Sequence, residues 1–148
     1  MSRVSSGLLA GLAATVVLSA LMVMKTMMGL MPELDLPKMI AGMMGAPESP
    51  MLGWIVHFMI GVVGYGLAMA FIGPHLPGGS ITAGVILGII GWLMMMVVLM
   101  PMAGAGMFGM SMGIMAPVMT LLLHLIFGAV LGWTYGRLTS SRPAAAVR

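Results

Sequence analysis

Apolar residues run along this chain in four long blocks, and the polar positions fall almost entirely between them. The blocks cover about Ser6 to Met28, Met51 to Ile72, Ile81 to Met100 and Pro117 to Leu138. At roughly 20 residues each is long enough to cross the ~30 Å hydrocarbon core of a bilayer as a helix. Lipid offers no partner to backbone N–H and C=O groups, so such a block is read as a helix that satisfies its own. The pattern predicts an all-α protein, an integral membrane bundle of four transmembrane helices.

The connectors differ in character. Gly73-Pro-His-Leu-Pro-Gly-Gly79 is a tight breaker between the second and third blocks. Leu30 to Pro50 joins the first to the second and holds Pro32, Glu33, Asp35, Pro37, Lys38 and Glu48. Pro101 to Ala116, PMAGAGMFGMSMGIMA, carries no charge. It is too apolar for an aqueous loop and too glycine-rich for a spanning helix, which predicts a re-entrant or interfacial segment. Irregular backbone at that depth must be buried in protein or face a cavity, so this connector should cover something.

Composition strengthens the membrane reading. Of 148 residues, 61% are hydrophobic and 6% charged, and the mean hydropathy is +1.16, far outside the range of soluble domains. The expectation is a single membrane domain over residues 1–148 whose main partner is the lipid bilayer. The formal charge of +3 rests on six basic residues against three acidic ones. Arg3, Arg137, Arg142 and Arg148 sit towards the two ends instead of forming a stripe, which excludes a nucleic-acid surface and reads as topology anchoring. The opposite side has only Lys25 and Lys38, so both termini are expected in the cytoplasm. Arg3 ahead of an apolar stretch suggests a signal peptide, but no A-x-A-like site follows Leu18 to Met24, and the first helix is read as a signal anchor. The absence of Cys excludes disulfides, iron-sulfur clusters and thiolate zinc sites, leaving His, Met, carboxylate and backbone oxygen as ligands.

The two halves align by their punctuation. Met31-Pro32 ends the extension of the first helix, and Pro50 precedes His57 by seven residues. Met100-Pro101 follows the third, and Pro117 precedes His124 by the same seven residues. Gly61 and Gly128 each follow their histidine by four positions, in HFMIG and HLIFG. This predicts two tandem two-helix repeats, about 6–72 and 81–138, parallel and related by a pseudo-twofold axis along the membrane normal. Convergence of apolar, glycine-rich sequence is the alternative origin of the match.

GLMPELDL, HFMIG, LMPMAGAG and MAPVMTLLLHLIFGAVLGWTYG together resemble a family of small, four-span bacterial integral membrane proteins of unknown function. The resemblance covers nearly the whole chain. It implies a bacterial inner (plasma) membrane and supplies no activity or site residues.

Chemistry must therefore be sought in the residues. The repeat puts His57 and His124 at equal depth, ~10 Å inside helices that start on one face, and ionisable side chains within a span are functional candidates by default. A glycine one turn on, Gly61 or Gly128, makes a groove that can admit a porphyrin edge, and facing histidines of a bundle ligate haem iron. The first expectation is thus a haem b-binding electron-transfer subunit with His57 and His124 as axial ligands. A second is a small transporter or metal-handling protein, since thioethers suit copper and the chain has 22 Met. Met107, Met110, Met112 and Met115 in the apolar connector are its candidate ligands alongside the histidines. A third is a structural or assembly subunit without cofactor, in which small residues pack helices closely and the histidines act as interhelical glue. In each case a homo-oligomer or larger membrane complex is the natural setting, and no independent catalytic activity is expected. Gly104-Ala-Gly106-Met-Phe-Gly109 matches the dinucleotide fingerprint but lacks its strand and acidic residue. His75, in the Pro-Gly turn, is expected to be solvated.

Overall fold

The computed structural model describes residues 1–140; Arg142 and Arg148, which enter the orientation argument, lie outside the described residues. Among the described residues five helices of eight residues or more follow one another, α1 (Arg3–Met27), α2 (Leu36–Met43), α3 (Pro50–His75), α4 (Gly79–Met102) and α5 (Met115–Ser140), with a short 3-10 helix at Met107–Met112 before the last. There is no strand among the described residues. All but α2 are 24 to 26 residues long, or about 36–39 Å at 1.5 Å per residue, enough to cross a bilayer. Large apolar side chains such as Leu12, Ile55, Ile90 and Leu122 point outward from all four, as lipid requires and water would penalise.

Local chemistry sets the starts. Ser2 caps α1 by accepting the Ser5 N–H at 3.0 Å. Asp35 caps α2 by accepting the Lys38 N–H at 3.1 Å, with Pro37 in the first turn. The hydropathy pattern does not reveal α2, because eight residues are too few to register as a span. The reverse turn into α4 needs left-handed backbone at Gly78 and Gly79, with φ of 84° and 82°.

Glycines bring the long helices together. Gly7 and Gly11 of α1 sit against the α3 backbone at Gly66 and Gly61. Gly84 and Gly88 of α4 sit against Gly128, Gly132 and the His124 carbonyl of α5. Close approach of this kind is how helices associate where no hydrophobic force drives them. α1 and α5 then pack across the bundle through Ala10, Ala14, Leu18, Phe127 and Leu131, all buried. The remaining neighbours, α3 and α4, touch chiefly around the turn that joins them. The uncharged connector between α4 and α5 covers a second cluster: Ala105, Phe108 and Met112 close over Met95, Met96, Met100 and Leu34.

Candidate functional site

Where α3 and α4 part, they enclose a cavity of about 520 Å³. Ile60, Gly64 and Tyr65 form one wall, Gly91, Met95 and Leu99 the other; Leu18, His124 and Phe127 make the floor, and Leu36 and Ile40 of α2 close one end. Ile72, Ile90 and Met94 at its rim are exposed, so the cavity opens sideways between the two helices.

Both walls depart from regular α-helix. α3 widens to π-helical turns over Met59–Tyr65, and α4 does the same over Met95–Leu99. Such turns are rare and concentrate at functional sites. In α3 the stretch contains Gly61 and Gly64 and runs into Gly66, so few side chains brace the regular turn.

The two histidines border this cavity. His57 is 7% exposed. Its Nε2 lies 3.3 Å from the Ser19 hydroxyl of α1, and its ring meets Trp54 edge-on at 5.6 Å between centroids. His124 Nδ1 lies 2.8 Å from the Thr120 carbonyl. A carbonyl can only accept, so Nδ1 carries the proton and Nε2 keeps its lone pair. That is the tautomer of a metal-ligating histidine, oriented through its other nitrogen. Nε2 of His124 has no hydrogen-bond partner among the described residues and is not sealed off from the cavity. The same holds for the Tyr65 hydroxyl, which lies against the bare Cα of Gly91.

Of the residues expected at the site, His57, His124 and Gly61 are brought together on one cavity. Gly128 is not on it: the Gly84 carbonyl and Val85 Cα of α4 occupy its bare face, and the bare face of Gly61 is likewise taken by the Thr15 side chain of α1, so neither glycine leaves the groove expected beside its histidine. Met107, Met110 and Met115 are exposed, while Met112 turns onto the methionine cluster. The thioethers at the cavity belong instead to Met94 and Met95. His75 is exposed in the turn, its Nδ1 donating to the Phe71 carbonyl at 2.9 Å. Among the described residues no three His, Cys, Asp or Glu side chains converge. A metal here would need further ligands beyond two imidazoles, which a porphyrin's four nitrogens provide.

Sequence reasoning missed Lys25. Counted there as a topology charge, it is 6% exposed. Its ammonium donates to three backbone carbonyls, Leu30 at 3.1 Å, Met31 at 2.8 Å and Leu34 at 2.9 Å. Its place two residues inside the end of an apolar helix was the available signal.

No curated protein and no solved structure matches this chain. A family model does match it, over residues 1–146. The chain, whose described residues include four helices long and apolar enough to span a membrane, belongs to DUF6789, a family of unknown function.

Proposed function

We propose that the protein is a small electron-transfer subunit of the membrane that holds haem b between His57 and His124. The observation that carries this reading is that both imidazoles border one apolar cavity, with His124 anchored through Nδ1 so that Nε2 is free to ligate. At about 520 Å³ the cavity falls within the ~300–1,000 Å³ usual for cofactor sites. When bound, haem supplies a one-electron iron couple. The chain supplies two ligands at similar depth, a dry apolar wall, and Trp54 edge-on to the His57 ring. His57 would exchange its 3.3 Å contact with Ser19, or present its other nitrogen.

An absorption spectrum tests this. Protein expressed with haem supplied should show a Soret band that His57→Ala and His124→Ala each abolish and His75→Ala leaves intact. Folded wild-type protein that stays colourless would overturn it.

A second reading is copper handling, favoured by Met94 and Met95 on the cavity that both histidines border. Copper retained after detergent purification, without a Soret band, would select it. Neither cofactor would point to an assembly role within a homo-oligomer or larger membrane complex.

The tandem two-helix repeat remains part of the proposal, supported by the shared Pro, His and Gly spacing and by a glycine-mediated contact closing each hairpin. A bacterial plasma membrane with cytoplasmic termini is likewise proposed. Arg3 and Arg137 lie on the terminal side, and with Lys25 buried, Lys38 is the exposed cation of the opposite side among the described residues. A C-terminal reporter fusion active only outside the cytoplasm would reverse the orientation.

A further inference from the structure

The two openings of the groove are built differently. At the end nearer the α1–α3 connector, α2 lies across it, with Leu36 and Ile40 facing in. The Pro37 carbonyl sits on the bare face of Gly53, seating α2 on α3. The strap leading into α2 wraps the Lys25 ammonium, whose three N–H donors match three strap carbonyls. Charge-assisted bonds of this kind are the strong ones. Leu34, at the end of the strap, is also buried against Met95, Met96 and Met100. This end is fastened shut.

The side opening carries no such fastening. Gly64 has no atom within 4 Å of the position a Cβ would take, and the rim residues are apolar and exposed. Just inside, the Tyr65 hydroxyl has no protein partner among the described residues. At this depth water is scarce and an unpaired hydroxyl is costly, so the phenol wants an acceptor from whatever fills the groove. Among the described residues no Lys, Arg, Asp or Glu lines the cavity, so a charge held within it would find no charged partner there.

We infer that the groove takes its occupant from the bilayer, through the gap between α3 and α4, while Lys25 latches α2 over the water-facing end. The occupant is a lipid-partitioned molecule that presents neutral surface to the groove and a hydrogen-bond acceptor to Tyr65. This rests on the groove being a ligand site, and not on haem being the ligand.

The chain has no Cys, so single cysteines report access cleanly in the full-length protein in lipid vesicles. Gly64→Cys marks the side gap and Leu99→Cys the wall nearer α2. An uncharged, long-chain N-alkyl maleimide should label Gly64→Cys at least about tenfold faster than a sulfonated, water-soluble maleimide of equal intrinsic reactivity. Adding Lys25→Met should raise labelling of Leu99→Cys by the sulfonated reagent about tenfold or more, since losing even one charge-assisted bond shifts a local opening equilibrium by that order. With Lys25→Ala instead, ethylammonium should restore protection by filling the carbonyl cage. If the Lys25 variants do not fold, the double variant Leu36→Ala/Ile40→Ala trims the lid and should raise the same rate. Equal labelling of Gly64→Cys by the two reagents overturns lateral loading. An unchanged rate at Leu99→Cys in a folded lid or latch variant overturns the latch. A colourless protein with the expected labelling pattern would remove haem and leave this inference standing.

Discussion

His57 and His124 occupy one sequence frame, seven residues after a proline and four before a glycine, yet the structure gives them different surroundings. On α5 the glycine ridge is clamped by α4, the helix stays regular, and the His124 ring is anchored to its own backbone. On α3 the side towards α4 is free, the helix widens into π turns, and the His57 ring reaches across to Ser19 of another helix. The frame gives the spacing along the chain and not the surroundings. Which nitrogen is held is decided by the partner within reach, the Thr120 carbonyl of the same helix for His124 and the Ser19 hydroxyl of α1 for His57.

That difference can be broken from either side. The largest effect is expected on the clamped helix: Gly128→Leu should destabilise the protein by about 3 kcal/mol, because the side chain must displace the α4 backbone. Gly64→Ala, on the open helix, should change stability by less than about 0.5 kcal/mol. Thermal unfolding in detergent compares them, and equal losses would show that α4 does not clamp α5. Lys25→Met comes next, at about 2 kcal/mol, since three carbonyls lose a buried cationic donor. Hydrogen exchange should rise in Leu30 to Met43 and not in α5; a uniform rise would mean that Lys25 serves the whole bundle.

Smaller changes sharpen the contrast. Trp92 Nε1 donates to Thr120 Oγ1 at 3.1 Å and to the Pro117 carbonyl at 3.2 Å. Trp92→Phe should therefore cost about 1 kcal/mol and loosen the start of α5, beside His124. Ser19→Ala removes the only side-chain contact of its kind to His57 among the described residues and should cost about 0.6 kcal/mol. Nitrogen-15 shifts of the two rings decide it: His57 should move and His124 should not. Movement of both would mean that the rings are held as one unit.

The spans were readable because hydropathy is a local property. Blocks at Met51 to Ile72 and Pro117 to Leu138 became Pro50–His75 and Met115–Ser140, the extra residues being proline-led first turns and polar ends. That His57 and His124 border one cavity accords with the expectation that ionisable side chains within spans face the bundle interior. What sequence did not disclose depends on distant partners. Lys25 is buried only because Gly29 and Met31, with φ of 67° and 48°, bend the strap back over it. Gly61 and Gly128 read alike as open positions, but a neighbouring helix fills each face, Thr15 of α1 at Gly61 and the backbone of Gly84 and Val85 at Gly128. The π turns were not readable either: the glycines of MIGVVGY permit a departure from regular helix but do not say where the turn widens.

Those turns also bear on chain length. A π turn closes its hydrogen bonds one residue later than an α turn, so it holds a surplus residue without shifting the phase of the helix on either side. Read this way, Met59–Tyr65 and Met95–Leu99 are two places where the chain carries an insertion inside a spanning helix. Deleting the lipid-facing Val63 should heal the first into regular helix and keep Gly66 on Gly7. Sequences of this family that differ by one residue within these stretches would then share the bundle but differ in how far its side gap stands open.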